Sequence, residues 1–161
     1  MGLIIKCETG KEVYVENGSL EGADLCGLDL HRALLDGRRL RHADLSKAEL
    51  RSAWIEQADL SHANLRLANL AACNASRARF CWANLDGAML RCAVFEGADF
   101  GDASLIGANV GLANFCGANL RGADLRCDWL DTAELRGAVY DRSTTWPPGL
   151  NPERIVGLVL A

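Results

Sequence analysis

From residue 20 to residue 140 every fifth side chain is apolar, 25 positions in unbroken succession. Leu fills most of them; the departures are Ile55, Ala75, Phe80, Phe95, Phe100, Val110, Phe115 and Tyr140. Two residues before each centre stands Ala in 20 of the 25 units, the exceptions being Gly18, Leu28, Arg38, Cys73 and Asp128. The residue between is mostly Asp, Asn, Glu or Ser, and Gly is frequent two residues after the centre. A period of five matches neither the 3.6 of an α-helix nor the 2.0 of a strand. It fits a chain that turns by a quarter with each unit, so that four units close a square coil of roughly 20 residues. The centre and the Ala point inward, Ala because the corner of a narrow coil has no room for more. The other three residues point outward. Stacked at the ~4.8 Å spacing of β-structure, such coils make an all-β rod roughly 30 Å long.

Residues 20 apart should then lie in columns. Leu25, Leu45, Leu65 and Leu125 belong to one column, which is Leu throughout. Phe80 falls on Phe100, and Phe95 on Phe115, a pairing that scattered aromatics would not produce. Each stacked pair adds ~0.5–1.5 kcal/mol beyond its burial. These eight side chains are the expected structural core.

The flanks read differently. Leu3-Ile4-Ile5-Lys6-Cys7 and Glu12-Val13-Tyr14-Val15-Glu16 are strand-like runs around a Thr9-Gly10-Lys11 turn, a hairpin suited to covering the first coil. After Arg142 the period breaks at Ser143-Thr144-Thr145-Trp146-Pro147-Pro148-Gly149. Asn151-Pro152-Glu153 has the form of a helix start, and Ile155 to Leu160 is expected to continue as a short helix that caps the rod or joins two copies. The expected organisation is a cap over 1–17, the repeat over 18–142 and a C-terminal cap over 143–161.

Units such as Gly22-Ala23-Asp24-Leu25, His62-Ala63-Asn64-Leu65 and Gly117-Ala118-Asn119-Leu120 resemble the A(D/N)LXX unit of pentapeptide-repeat proteins. The resemblance implies a right-handed quadrilateral parallel β-helix, and the two flanks are similar to that family's caps. It also brings one activity into view. The best understood members are quinolone-resistance proteins that imitate duplex DNA and occupy its site on gyrase or topoisomerase IV.

A DNA mimic needs acidic side chains arrayed along a face. The repeat carries 17 acidic and 14 basic residues, and its outward columns mix the signs. Glu21 with Arg41, and Arg66 with Asp86, are expected to pair across neighbouring coils. DNA mimicry is therefore the alternative rather than the first reading. The chain's formal net charge of −4 speaks against a nucleic-acid partner, which requires clustered positive charge. No apolar run approaches the ~20 residues of a membrane span, and Met1 to Ile5 is too short for a secretory signal. Seven Cys, an odd number without a CxxC pair, suit reduced thiols in a cytoplasm, and Cys26, Cys81, Cys116 and Cys127 fall in outward slots. The Asn17-Gly18-Ser19 and Asn74-Ala75-Ser76 matches to the glycosylation pattern read as chance in such a chain.

No constellation in the sequence has the form of a catalytic centre. The Asp and Asn residues of the repeat are better explained by hydrogen bonds to nearby backbone. His42 and His62 share an outward slot with Trp82; Asp44 and Asn64 neighbour them but no thiolate does, and the pair reads as coincidence on an exposed face. A filled coil also leaves no pocket. The expectation is a non-enzymatic protein-interaction or structural module of unidentified target, without metal or cofactor, as a monomer or as a homodimer through the C-terminal helix. The residues available for binding are the outward apolar ones: Leu34, Trp54 and Val94 in one column, and Trp82 and Trp129 elsewhere.

Overall fold

The computed structural model describes residues 2–16 and 18–161. Asn17, the acceptor of the first glycosylation match, lies outside them, as does Met1. Parallel backbone bridges join residues 20 apart along the repeat, from Asp24 with Asp44 to Asn119 with Val139. They form four ladders, numbered here as faces in chain order. Face 1 begins at Asp24, face 2 at Asp29, face 3 at Leu34 and face 4 at Arg39. Each coil visits the four in turn.

The hydrogen bonds explain the five-residue unit. In the unit from Asp44 to Ala48, Asp44 N–H donates down to Ala23 O, Leu45 N–H up to Asn64 O, and Lys47 N–H up to Arg66 O. Ala48 N–H closes the corner on Leu45 O at 3.0 Å. One donor is left over, Ser46 N–H, and Asp44 Oδ1 accepts it at 2.9 Å. Buried or half-buried backbone donors must find partners, so a short acceptor is favoured before the centre. The same bond recurs from Ser61 to Asp59, Ala71 to Asn69 and Cys116 to Asn114. Along the ladders the side chains also bond each other, Asn64 Nδ2 donating to Asp44 at 3.0 Å and Asn119 Nδ2 to Asp99 at 2.7 Å. The corner also requires a positive φ at its third residue. Gly22 has 69°, but His42, His62 and Trp82, its successors in the column, adopt 58°, 60° and 56°.

The core is the stack of inward centres with the Ala beside them. Leu25, Leu45, Leu65 and Leu125 are buried, as are all four Phe. Phe80 lies over Phe100 at 4.8 Å, and Phe95 over Phe115 at 5.0 Å, both stacked. The two pairs meet edge to face, Phe95 against Phe100 at 5.1 Å. Fully burying one such side chain is worth ~1.5–3 kcal/mol.

Two strands open the chain, β1 (Leu3–Lys6) and β2 (Glu12–Val15), antiparallel with Leu3 opposite Val15. The hairpin docks on the first rung of face 3, where Cys7 bridges Ala33 and Leu34 N–H donates to Lys6 O at 2.8 Å. Lys11–Asp29 and Arg32–Glu8 ion pairs hold it at its sides.

The C-terminus corrects the sequence expectation. No helix follows Asn151. Its side chain does cap Glu153 N–H, but the result is a single 3₁₀ turn, Pro152–Arg154. The chain then passes Gly157 at φ 80° and forms β4 (Val159–Leu160), parallel to β3 (Val139–Tyr140) and 20 residues beyond it. A helix this short gains little from its own bonds. The β-branched residues Ile155, Val156 and Val159 favour strand. The ladder edge offers bonds at once: Gly137 N–H to Gly157 O at 2.6 Å, and Val159 N–H to Ala138 O at 2.8 Å. The expected helix-mediated homodimer loses the element it rested on.

The repeat is not unbroken either. Asp128 occupies the inward Ala slot by count, yet it is exposed, and Cys127 is buried in its place. The corner after Leu125 is one residue short, closed by Cys127 N–H on Leu125 O at 2.6 Å, a three-residue turn. Asp128 consequently bridges Asn109, 19 residues back. An extra residue restores the count: Trp129 is pushed outward at φ 64° while Leu130 stays inside. The 3₁₀ turn Leu130–Thr132 completes the correction, and Glu134 again pairs 20 back with Asn114. Avoiding an unpaired carboxylate in the core favours the slip.

Candidate interaction surface

The slot before the centre decides what each face presents. On face 1 it holds Asp24, Asp44, Asn64, Asn84, Ser104 and Asp124, all polar. On face 4 it alternates Arg39, Asp59, Arg79 and Asp99, then holds Asn119 and Val139. On faces 2 and 3 it holds Met89, Leu34, Trp54 and Val94 among amides and the carboxylates Asp29, Glu49 and Glu134. Apolar residues there forfeit the acceptor for the leftover donor. Behind Trp54 the loss is repaired from the coil below, Glu56 N–H donating to Asp36 Oδ1 at 2.8 Å.

The five sequence candidates fall in three places. Leu34 and Trp54 are direct ladder partners on face 3, and Val94 lies two rungs further on, beyond Asn74. Trp129 stands on the adjoining face 2, 62% exposed. Trp82 is apart, at the corner between faces 4 and 1. There it ends a stack in which His42 lies on His62 at 4.9 Å and His62 on Trp82 at 5.1 Å. The imidazole planes are 11° from parallel, so no ion can lie in both rings' planes as ligation by ring nitrogen requires. Among the described residues no group of three or more His, Cys, Asp or Glu is placed to hold a metal.

Trp129 and its neighbours form a cleft of about 450 Å³ lined by Arg91, Asn109, Gly111, Leu112, Trp129 and Thr132. A second, of about 330 Å³, lies on the other side of Trp129 against Cys127, Leu130, Asp131 and the Pro147–Leu150 segment. Sequence counting placed Trp129 outward but gave no cleft. Its one advance signal was Asp128, a charge in a slot built for Ala.

Part of the surface charge is paired within the rod. Arg126 makes a two-pronged bond to Asp124, at 2.6 and 2.9 Å, and its guanidinium holds that carboxyl below the usual range. Glu21 pairs with Arg39 at 3.4 Å and Arg41 approaches Asp59, in place of the expected Glu21–Arg41 pair. Asp86 accepts from Ser104 Oγ and Ile106 N–H instead of pairing with Arg66. Exposed pairs of this kind contribute under ~1 kcal/mol each. Two cysteines counted as outward are covered: Cys81 by its neighbours on face 4, and Cys127 by the register slip. Burial and then the nearby Asp99 carboxylate push the Cys81 thiol up to about 11, and burial pushes Cys127 to about 12.

Among the described residues no helix is long and apolar enough to cross a membrane. No curated protein matches the chain. Among solved structures it is similar to a trypsin-treated form of QnrB1, a plasmid-mediated fluoroquinolone resistance protein. That likeness has 22% identity and a TM-score of 0.69, over 89% of this chain and 79% of that one. It is also similar to a pentapeptide repeat protein from Nostoc Pcc 7120, with 30% identity, 76% and 84% coverage and a TM-score of 0.47. A family model described as pentapeptide repeats matches in eight copies, over residues 19–61, 63–102 and 98–137. With that match spanning most of a chain already built from stacked five-residue units, the protein belongs to the pentapeptide-repeat family.

Proposed function

We propose that this chain is a non-enzymatic protein-interaction module, a right-handed quadrilateral β-helix acting in the cytoplasm, whose partner docks on faces 2 and 3. One observation carries the reading. Leu34, Trp54, Val94 and Met89 stand where the coil favours Asp or Asn, and all four lie on those two adjoining faces, whereas Val139, apolar in the same slot of face 4, is paired with Val159 of β4. Positions at which a locally stabilising residue is given up are where function is expected. Leu112 and Trp129 extend the same apolar area, 58% and 62% exposed. Docking on a rigid rod loses little conformational entropy.

Face 4 alternates Arg and Asp, and the carboxylates of face 1 are interrupted by Asn64, Asn84 and Ser104, so neither presents the continuous acidic array of the DNA-mimic alternative, and a likeness of 22% identity to QnrB1 bears on the fold alone. A supercoiling assay of gyrase with a quinolone is expected to give the same result with and without the protein.

The test is comparative capture from the native cell extract, with the wild-type chain and a Trp54→Asn/Met89→Asn variant immobilised side by side. A protein retained by the first and lost by the second is the expected result. Identical retention profiles would remove faces 2 and 3 from consideration.

A further inference from the structure

Face 3 repeats one outward pair. Leu34 with Asp36, Trp54 with Glu56, and Val94 with Glu96 each set an apolar residue on the ladder and a carboxylate at the corner that ends the face. The three pairs share the first, second and fourth rungs. The third rung carries Asn74 and Ser76 instead. Asp36, Glu56 and Glu96 make no salt bridge among the described residues. At the corner that opens the face, Arg51 and Arg91 stand on the second and fourth rungs, and they too make none. The apolar column therefore runs between a cationic flank and an anionic one. The other charges at its borders do not reverse this pattern. Arg32 is held by Glu8 at 3.0 Å, and Lys6 lies one rung below Leu34. Arg38 and Arg77 lie past the acidic column, toward face 4, with the Arg77 stem beside Gly97. The carboxylates, two residues from the apolar column, stand closer to it than either. Leu34 and Trp54 are 41% and 40% exposed. Between Trp54 and Asn74 lies a hollow of about 140 Å³, lined by the small residues Ser52, Ala53 and Ala72 and ended by the Glu8–Arg32 pair.

We propose that face 3 takes an amphipathic α-helix of a protein partner, laid along the rod, whose apolar stripe has basic residues on one flank and acidic residues on the other. The proposal deepens the reading above and rests on it. The spacing of the rungs selects a helix. Stacked Phe80 and Phe100 show that spacing, 4.8 Å. Successive a, d, a and d residues of a heptad helix rise at about 0, 4.5, 10.5 and 15 Å, against rungs at about 0, 4.8, 9.6 and 14.4 Å. Same-side residues of an extended strand recur every ~6.8 Å and fall out of step by the second rung. The helix's third apolar residue meets the third rung, where Asn74 replaces a bulky side chain and the hollow beside Trp54 has room for it. Its basic flank meets Asp36, Glu56 and Glu96, and its acidic flank meets Arg51 and Arg91. Apolar anchors supply the affinity of such a groove, and the flanking charges fix how the helix sits in it.

Three synthetic peptides test this on the ¹⁵N-labelled full chain. Two are stapled helices of two heptads with Leu at a and d, one with Lys along one flank and Glu along the other, one with Glu along both. The third is an alternating Val-Lys strand. Binding is read from the Trp54 indole N–H and the Leu34, Asn74 and Val94 amides. The expected result is that only the helix with mixed flanks shifts these signals. Glu56→Gln/Glu96→Gln weakens its binding about tenfold, the worth of two exposed ion pairs together. Equal binding by the all-Glu helix or by the strand overturns the proposal, as does no response to any peptide. Shifts that grow with protein concentration and without peptide assign the face to a second copy and overturn it as well. A partner still captured through Trp54 and Met89, alongside silent peptides, would sink this inference and leave the broader function standing.

Discussion

Asp128 pairs with Asn109 across 19 residues, where every rung below it spans 20. That single short corner places Cys127 inside, Asp128 outside and Trp129 on the surface. Asp128→Ala is expected to change stability by less than about 0.5 kcal/mol, as at other exposed sites. Cys127→Asp is expected to cost more than about 3 kcal/mol, because it buries an unpaired charge. Urea denaturation of the two variants measures both. The reverse order would mean that the repeat runs through residue 128 in phase.

The four Phe form one contact group, with Phe95 touching Phe80, Phe100 and Phe115. Phe95→Ala should destabilise the rod by about 3–5 kcal/mol, combining lost transfer energy with the cavity left behind. Phe95→Leu should cost much less. Equilibrium melts, with near-ultraviolet circular dichroism to follow the ring packing, distinguish the outcomes.

Met89 sits between Asn69 and Asn109 on its ladder. An amide in that place restores the acceptor for the Arg91 N–H and extends the side-chain ladder. Met89→Asn is therefore expected to stabilise the protein by about 1 kcal/mol, the net worth of one hydrogen bond, while weakening partner capture. A variant that is less stable and binds fully would contradict the role given to this position.

Asp141 ends the repeat as a cap. Its Oδ1 accepts from the Ser143 hydroxyl at 2.6 Å and from the N–H groups of Gly122, Ser143 and Thr144. The Ser143 bond foremost, with the backbone donors, lowers its carboxyl to about 2. The folded-state value lies below the unfolded one, so this contribution is complete above about pH 4 and disappears as pH falls through about 2. Melting temperatures between those limits should fall more steeply for the wild type than for Asp141→Asn. Parallel slopes would remove Asp141 from the acid response.

The thiols should separate by burial. Cys26 and Cys92 are exposed; Cys73 is buried, and its burial pushes its thiol up to about 12. A disulfide-exchange reagent at neutral pH is expected to label Cys26 and Cys92 first, and to reach Cys73, Cys81 and Cys127 only as the chain unfolds. Peptide mapping after short exposure gives the order directly.

The regular coil was legible because its signals reinforce one another. Phe80 over Phe100, and Leu25 through Leu125, follow from spacing alone once the unit is five. The acceptor role of Asp44 or Asn69 follows from residue type. What escaped were places where one slot's chemistry conflicts with its neighbours. Asp128 could not stay inside, so the chain shortened one corner and lengthened the next, a choice that depends on three-dimensional room. Ile155 to Leu160 carried a helix start, but the unpaired edge at Gly137–Tyr140 outweighed it. Cys81 counted as outward and is covered, because spacing assigns a direction and not the size of the neighbours.

The positive φ at the regular corners, from residue 22 to residue 122, has a consequence for how this sequence can vary. Among the described residues fourteen non-glycine residues hold that conformation, the displaced Trp129 included, and they comprise Arg, His, Lys, Leu, Trp, Ser and Gln among others. None is Val, Ile or Thr, whose branched Cβ crowds the backbone there. A saturation scan should therefore reveal a comb: at every fifth residue from 22 to 122, charge, size and aromaticity are tolerated while a single extra carbon on Cβ is rejected.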